Sequence, residues 1–324
     1  MTRILLTDAD RFPYAPGELD ELTAAGGHLV SLSGHDPDEI AAVGKDAFAV
    51  LVYSGKFDDA LIARLPKCRV LARCGAGYDN IDVMAAAAHG VTVTYVPAYG
   101  AGDVAEHAVA LLLACARHLA PSDRSVQAGR WPSYGALGQM RRVAGQTLGL
   151  LGYGRIAREV ASRAAALRLR VIAHDPFVDA NRTGVEMVSL ERLYGEADFV
   201  SVHLPLTPDT RHLVGVEALA AMKPTAFLIN TSRGAVIDQA ALVAALEAGS
   251  IAGAGLDVLE REPVPSGDPL LGRPNVIITP HCAAYTEEAL SDVRCTALAD
   301  VVRMLRGERP LHPVPELAEG ASGE

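Results

Sequence analysis

Apolar residues over the first hundred positions fall into short runs separated by stretches of helical periodicity. Arg3–Thr7, His28–Leu32, Ala47–Val52, Val70–Arg73 and Thr92–Tyr95 read as strands. Glu18–Ala25, Asp58–Arg64 and Asp82–Ala88 read as helices between them, the last stopping at His89-Gly90. Strands alternating with helices predict a parallel sheet covered on both faces, here a first, flavodoxin-like α/β domain. Val96 to Gly102 breaks the pattern as a linker or hinge. Asp103 is expected to cap a long helix from Val104 to about His118, apolar on most faces and therefore buried. Pro121 to Gly138 shows no periodicity and reads either as an arm reaching another subunit or as a surface loop.

The pattern then sharpens. Thr147–Leu151 predicts a short buried strand and Gly152-Tyr153-Gly154 a turn, after which Ile156, Val160, Ala164 and Leu167 recur on one helical face. Val171-Ile172-Ala173 forms the next strand, ending at His174-Asp175. Further strands are expected at Asp198–His203, Ala226–Asn230, Ala254–Val258 and Val276–Thr279. Asp238 should cap a helix running to Gly249, with Leu242, Val243 and Leu246 facing inward. One more helix, Thr286 to Arg306, precedes Gly307 and a proline-rich tail. Coming after a completed sheet, it is placed to return to the first domain. The expected architecture is α/β, with two doubly wound parallel sheets. A discontinuous flavodoxin-like substrate domain takes residues 1–99 and 285–324, and a Rossmann nucleotide domain takes 100–284.

Composition narrows the setting. Half of the 324 residues are hydrophobic, enough for two cores, and the net charge of −10 argues against nucleic acid or an anionic membrane as partner. The N-terminal apolar run is too short for a signal peptide, and the longest run, Ala108 to Ala116, is too short to span a bilayer. Cys68, Cys74, Cys115, Cys282 and Cys295 show no close pair and no metal-ligand spacing. The expectation is a cytoplasmic protein without a structural metal.

Strand, glycine turn, helix, strand and acid form the context of a dinucleotide-binding fingerprint. Gly152 permits the tight turn, Gly154 lets a pyrophosphate approach the helix N-terminus, and Ala157 takes the third glycine position. Asp175 follows at about the 20-residue spacing at which a carboxylate accepts from ribose hydroxyls. It would repel a 2′-phosphate, and the first basic residue after it is Arg182, so the reading favours NAD over NADP. Ligands bind outside the carboxyl ends of such strands. The polar groups there are Asn230-Thr231-Ser232-Arg233-Gly234, Asp257, Glu260-Arg261-Glu262 and Thr279-Pro280-His281. Hydride transfer to a carbonyl creates an alkoxide that needs a proton, and His281 is a suited donor. A carboxylate on its other ring nitrogen, Glu262, would fix the tautomer and favour the protonated form. Arg233 offers a two-pronged cation for a substrate carboxylate.

Six runs, in order, carry a family resemblance: Cys74–Asp82 (CGAGYDNID), Val104–His107 (VAEH), Gly149–Ala157, Asn230–Asp238 (NTSRGAVID), Gly255–Pro263 (GLDVLEREP) and Thr279–Thr286 (TPHCAAYT). Together they resemble the D-isomer-specific 2-hydroxyacid dehydrogenases over nearly the whole chain. The resemblance implies that Arg233, Glu262 and His281 are catalytic. It implies NAD contacts at Gly152, Gly154, Arg155, Ile156, Asp175, Thr231, Asp257 and Ala284, and also at Val104, His203, Pro205, Thr210, Ser232, Arg233 and His281. It implies that backbone N–H groups at Gly75, Ala76 and Gly77 receive the substrate carboxylate together with Arg233. It also implies a homodimer built on the long helix and the arm. Glu262 departs from formate dehydrogenases, which carry glutamine there, and Ala76 departs from phosphite dehydrogenase, which carries lysine. No appended regulatory domain is expected. Cys282, next to His281, reads as a small filler rather than a reactive thiol. The expected function is interconversion of a small 2-keto acid and its D-2-hydroxy acid. The rival is an NAD-sensing protein similar to the C-terminal-binding-protein corepressors, which retain the same three residues.

Overall fold

The computed structural model describes residues 1–179, 181 and 183–318, so Arg182, used above in weighing NAD against NADP, lies outside the described residues. Two compact units form, one from Met1–Tyr99 and the stretch beginning at Thr286, the other from Gly100–Tyr285.

The first unit holds β1 (Thr2–Leu6), β2 (Gly27–Ser31), β3 (Ala47–Val52), β4 (Val70–Arg73) and β5 (Thr92–Thr94). They pair in parallel in the order β2-β1-β3-β4-β5, the flavodoxin-like winding. Because both faces are covered, the strands read as continuous apolar runs rather than alternating ones. Alternation shows instead in which core each residue joins. Ile4, Leu6, Ala49 and Leu51 pack with Val293, Ala297, Leu298 and Val301 of the Glu287–Leu305 helix. Leu5, Val50 and Val52 pack on the opposite face with Ile40, Leu61, Ile62 and Ala86. The late helix, capped by Thr286, therefore belongs to this unit.

The second unit holds β6 (Thr147–Leu151), β7 (Arg170–His174), β8 (Glu186–Met187), β9 (Phe199–Val202), β10 (Phe227–Asn230), β11 (Gly253–Leu256) and β12 (Val276–Ile278). Their order is β12-β11-β10-β9-β6-β7-β8, all parallel, with the chain reversing direction across the sheet between β6 and β9. That is the Rossmann winding with one added edge strand. The Ala101–Ala116 helix covers one face through Ala105, Ala108 and Leu112, and helices carrying Leu193, Leu219 and Leu242 cover the other.

Several local expectations need correction. The long helix begins at Ala101, and its N-cap is Gly100 at φ +62°, a conformation open to a residue without Cβ; Asp103 sits inside the first turn. The first part of the supposedly irregular stretch is a helix, Leu119–Gln127. Pro121 is its third residue, where the missing N–H would have had no partner in any case. Helices at Pro37–Gly44, Leu190–Glu196 and Val216–Ala221, and strand β8, were not expected. The first had a readable start: the Asp36 side chain accepts from the N–H groups of Asp38 and Glu39, with Pro37 at the first helical position.

Candidate active site

The glycine turn follows β6. Gly152 takes φ +89°, and a Cβ there would lie 2.7 Å from the His203 carbonyl oxygen. Its N–H donates to the His174 carbonyl at 2.9 Å, tying the turn to the end of β7. Gly154 is different: it is the N-cap of the Arg155–Ala166 helix, no side chain caps that end, and a Cβ would meet nothing within 4 Å. One glycine is required by the fold, and the other opens onto free space at a positive helix end. Accordingly, Gly152→Ala should lower thermal stability by about 1–3 kcal/mol. Gly154→Ala should leave the melting temperature alone while weakening NADH binding about tenfold or more, since binding needs close backbone approach. Calorimetry and NADH titration of the two variants check this; unchanged NADH affinity in Gly154→Ala would overturn it.

Asp175 is held at the tip of β7. One oxygen accepts the Tyr153 N–H at 2.8 Å and the other the Phe177 N–H at 2.9 Å. A carboxylate has about four acceptor positions, so capacity remains for ribose hydroxyls.

The turn after β10 is organised by buried Asn230. Its Oδ1 accepts from the Ser232 N–H and hydroxyl, and its Nδ2 donates to the Arg233 carbonyl at 2.9 Å. This presents Thr231, Ser232 and Arg233 at the carboxyl rim. The Thr231 hydroxyl is buried without a hydrogen-bond partner among the described residues. A buried polar atom left unpaired is costly unless a ligand meets it. Gly234 locks this turn to the next one: a Cβ there would lie 1.9 Å from the Leu259 carbonyl carbon and 2.4 Å from the Glu260 nitrogen.

Beyond β11 and β12 the chain is drawn together by Asp257, which is 2% exposed. Its Oδ1 accepts from the Thr279 hydroxyl at 2.5 Å and the Cys282 N–H at 2.9 Å, and its Oδ2 accepts the Ala283 N–H at 2.9 Å. Its carbonyl accepts the His281 N–H at 2.8 Å. His281 stands at φ +53°, uncommon for a residue with a side chain. Its Nδ1 is 2.7 Å from Glu262 Oε2, while Glu262 Oε1 accepts the Leu259 N–H at 2.9 Å. With Nδ1–H given to Glu262, Nε2 is the ring atom left to exchange a proton. Partial burial pushes the Glu262 carboxyl up, but the hydrogen bond and charge of His281 and the Leu259 N–H outweigh it. The net position is below the usual range, so Glu262 is ionised at neutral pH. For Cys282, burial and the Asp257 charge raise the thiol, which fits an inert side chain rather than a reactive one.

The other expected contacts lie on the same domain. The Thr210 hydroxyl donates to the Pro205 carbonyl at 2.6 Å, closing the turn after β9. His203 Nε2 is 2.9 Å from the Ser201 hydroxyl, and burial pushes its ring down to about 4. A histidine lowered on folding stays neutral while the unfolded chain binds a proton near 6.5. Stability is therefore lost as pH falls from about 6.5 towards 4, by about 3 kcal/mol. Urea titrations across that window should show the loss, and His203→Gln should flatten it; an unchanged slope would remove His203 as its source.

In the first unit the loop after β4 is built on Arg73. Its guanidinium donates to the carbonyls of Gly77 and Cys74, each at 2.7 Å, and of Val52 at 3.3 Å. A Cβ on Gly75 would lie 2.8 Å from its Cζ. With carbonyls drawn inward, the N–H groups of Ala76 and Gly77 make no hydrogen bond among the described residues. Such a pair of amides suits a carboxylate. Val104 and Ala284 are half-buried. Asn230, Gly234 and Thr279, which fall within the rim runs named above, support the site through backbone and buried contacts rather than by facing a ligand.

The orphaned Thr231 hydroxyl, the open space at Gly154 and the held Asp175 carboxylate fit a dinucleotide. The family profile described as D-isomer specific 2-hydroxyacid dehydrogenase, NAD binding domain, matches residues 109–283. A glyoxylate reductase of Korarchaeum cryptofilum is 42% identical over 272 residues, 82% of this chain and 82% of that protein. D-3-phosphoglycerate dehydrogenase of Mycobacterium tuberculosis is 42% identical over 282 residues, 86% of this chain but 53% of the relative, so the chain spans about half its length. Among solved structures, a glyoxylate reductase from Paecilomyes thermophila superposes with a TM-score of 0.86 at 31% identity, covering 98% of this chain and 99% of that one. With fold, nucleotide turn and sequence in agreement, the chain belongs to the D-isomer-specific 2-hydroxyacid dehydrogenase family and is an NAD-dependent oxidoreductase.

Proposed function

We propose that the protein reduces a small, unphosphorylated 2-keto acid of the glyoxylate or hydroxypyruvate type to its D-2-hydroxy acid. The observation that carries this is the His281–Glu262 pair at 2.7 Å on the carboxyl rim of the nucleotide domain. Gly152, Gly154, Arg155 and Ile156 would hold the NAD pyrophosphate, Asp175 the ribose, and Thr231, Asp257 and Ala284 the nicotinamide side. Bound NADH would supply the hydride. His281 Nε2 gives its proton to the developing alkoxide, and ionised Glu262 stabilises the charge left on the ring and keeps Nδ1 protonated. Arg233 grips the substrate carboxylate and polarises the carbonyl.

Support for a small substrate comes from the glyoxylate reductase of Korarchaeum cryptofilum, of which this chain covers 82%. A second copy of the chain is the partner the 119–140 region fits, where Trp131 is 88% and Leu119 56% exposed beside Val126, Tyr134 and Met140.

The test is NADH oxidation with glyoxylate, hydroxypyruvate, pyruvate, 3-phosphohydroxypyruvate and bulkier keto acids, with light scattering for the oligomer. Glyoxylate or hydroxypyruvate should give the highest kcat/KM, from a dimer. Preference for the phosphorylated acid would overturn the substrate assignment. Tight NADH binding without turnover of any acid would favour the NAD-sensing reading.

A further inference from the structure

The Val104–His107 run holds a histidine that the assignments above leave without a role. His107 lies in the Ala101–Ala116 helix with its side chain 23% exposed. Its Nε2 is 2.9 Å from the Thr279 hydroxyl and 3.5 Å from Asp257 Oδ1. Thr279 in turn is 2.5 Å from the same Asp257 oxygen. Three side chains from three elements thus form one chain of hydrogen bonds, ending on the carboxylate that binds the N–H groups of Cys282 and Ala283.

The direction of that chain is fixed by donor counting. The Thr279 hydroxyl donates its single proton to Asp257 Oδ1. The Thr279 oxygen must then accept from His107, which therefore carries its hydrogen on Nε2. A metal ion is the other reading of this cluster, since His107, Asp257 and Cys282 have ligand atoms within 4.8 Å of one another. The Asp257 oxygens, however, are already engaged by Thr279, Cys282 and Ala283. Three hydrogen bonds already hold this carboxylate without a cation.

What the chain supports is the backbone of His281. A side-chain-bearing residue at φ +53° persists only where its surroundings over-determine it. Asp257 supplies that constraint on both sides of the residue, through its carbonyl to the His281 N–H and through its carboxylate to the next two N–H groups. Rotation of the Thr279 hydroxyl away from Asp257 would loosen it, and the His107 N–H holds Thr279 in place. We infer that His107 is a positioning residue for His281, acting through Thr279 and the Asp257 carboxylate. The inference rests on the proposed role of His281.

Two measurements test it. In 15N-histidine spectra of the protein without cofactor, the resonance lost in His107→Gln should be that of an Nε2–H tautomer. In the keto acid assay, His107→Phe should lower kcat about tenfold, the scale expected when a catalytic group is displaced by a fraction of an ångström. KM and NADH affinity should stay within about twofold. His107→Gln, whose amide N–H can replace the lost donor, should recover most of the loss. An Nδ1–H tautomer, an unchanged kcat in His107→Phe, or equal losses in both variants with a lowered melting temperature would overturn the inference. Absence of turnover in the unsubstituted protein would count against the proposed function instead, and the tautomer would still decide the role of His107.

Discussion

Replacing His281 by alanine is expected to lower kcat for keto acid reduction by about three orders of magnitude, within the range general acid catalysis supplies. NADH affinity should change by less than about fivefold, because the backbone rather than the ring is held by Asp257. Folding should be little affected: the side chain is half exposed and its partner, Glu262, keeps the Leu259 N–H. Glu262→Gln is a graded companion. It retains a hydrogen-bonding group at Nδ1 but removes the charge that stabilises the imidazolium, so its loss should be smaller. Stopped-flow reduction with matched NADH titration reads both. Turnover in His281→Ala near that of the unsubstituted protein would take the histidine out of the chemistry.

Gly234→Ala should be the most damaging single methyl group in the nucleotide domain. The added carbon would sit 1.9 Å from a backbone carbonyl carbon, and no rotamer change relieves a clash with main chain. Either the Asn230–Gly234 turn or the Leu259–Glu262 turn must move. The first carries Arg233 and the second carries Glu262, so displacement separates Arg233 from Glu262 and His281. A shift near 1 Å costs about a hundredfold in rate, and overpacking of this kind costs about 1–3 kcal/mol in stability. Thermal denaturation together with kcat/KM checks both effects. A variant that melts and turns over normally would show that the two turns tolerate separation.

Much of this architecture was legible because parallel strands are buried on both sides. Ala47–Val52 and Thr147–Leu151 announce themselves as unbroken apolar runs, and their parallel pairing follows from the helices between them. Short helices were not legible: Val216–Ala221 spans fewer than two turns, too little for a period to show. Leu119–Gln127 was hidden by Pro121, which breaks a helix interior but not its first turn. At the site, the pairing of Glu262 with His281 was expected because both follow strand carboxyl ends, and a proton-donating histidine calls for a carboxylate on its other nitrogen. The contact of His107 with Thr279 joins positions 172 residues apart, and the approach of Gly234 to Leu259 depends on two neighbouring strand ends. Neither leaves a local pattern.

The first unit's sheet has a further consequence during synthesis. Ile4, Leu6, Ala49 and Leu51 are covered by the Glu287–Leu305 helix, and Val314, fully buried, donates its N–H to the Val93 carbonyl within β5. As the chain leaves the ribosome, that sheet keeps one apolar face bare until the much later Glu287–Leu305 helix has been made. The contiguous 100–285 segment holds everything its own core needs and can close earlier. In the nascent protein the nucleotide domain is therefore complete before the lobe that precedes it.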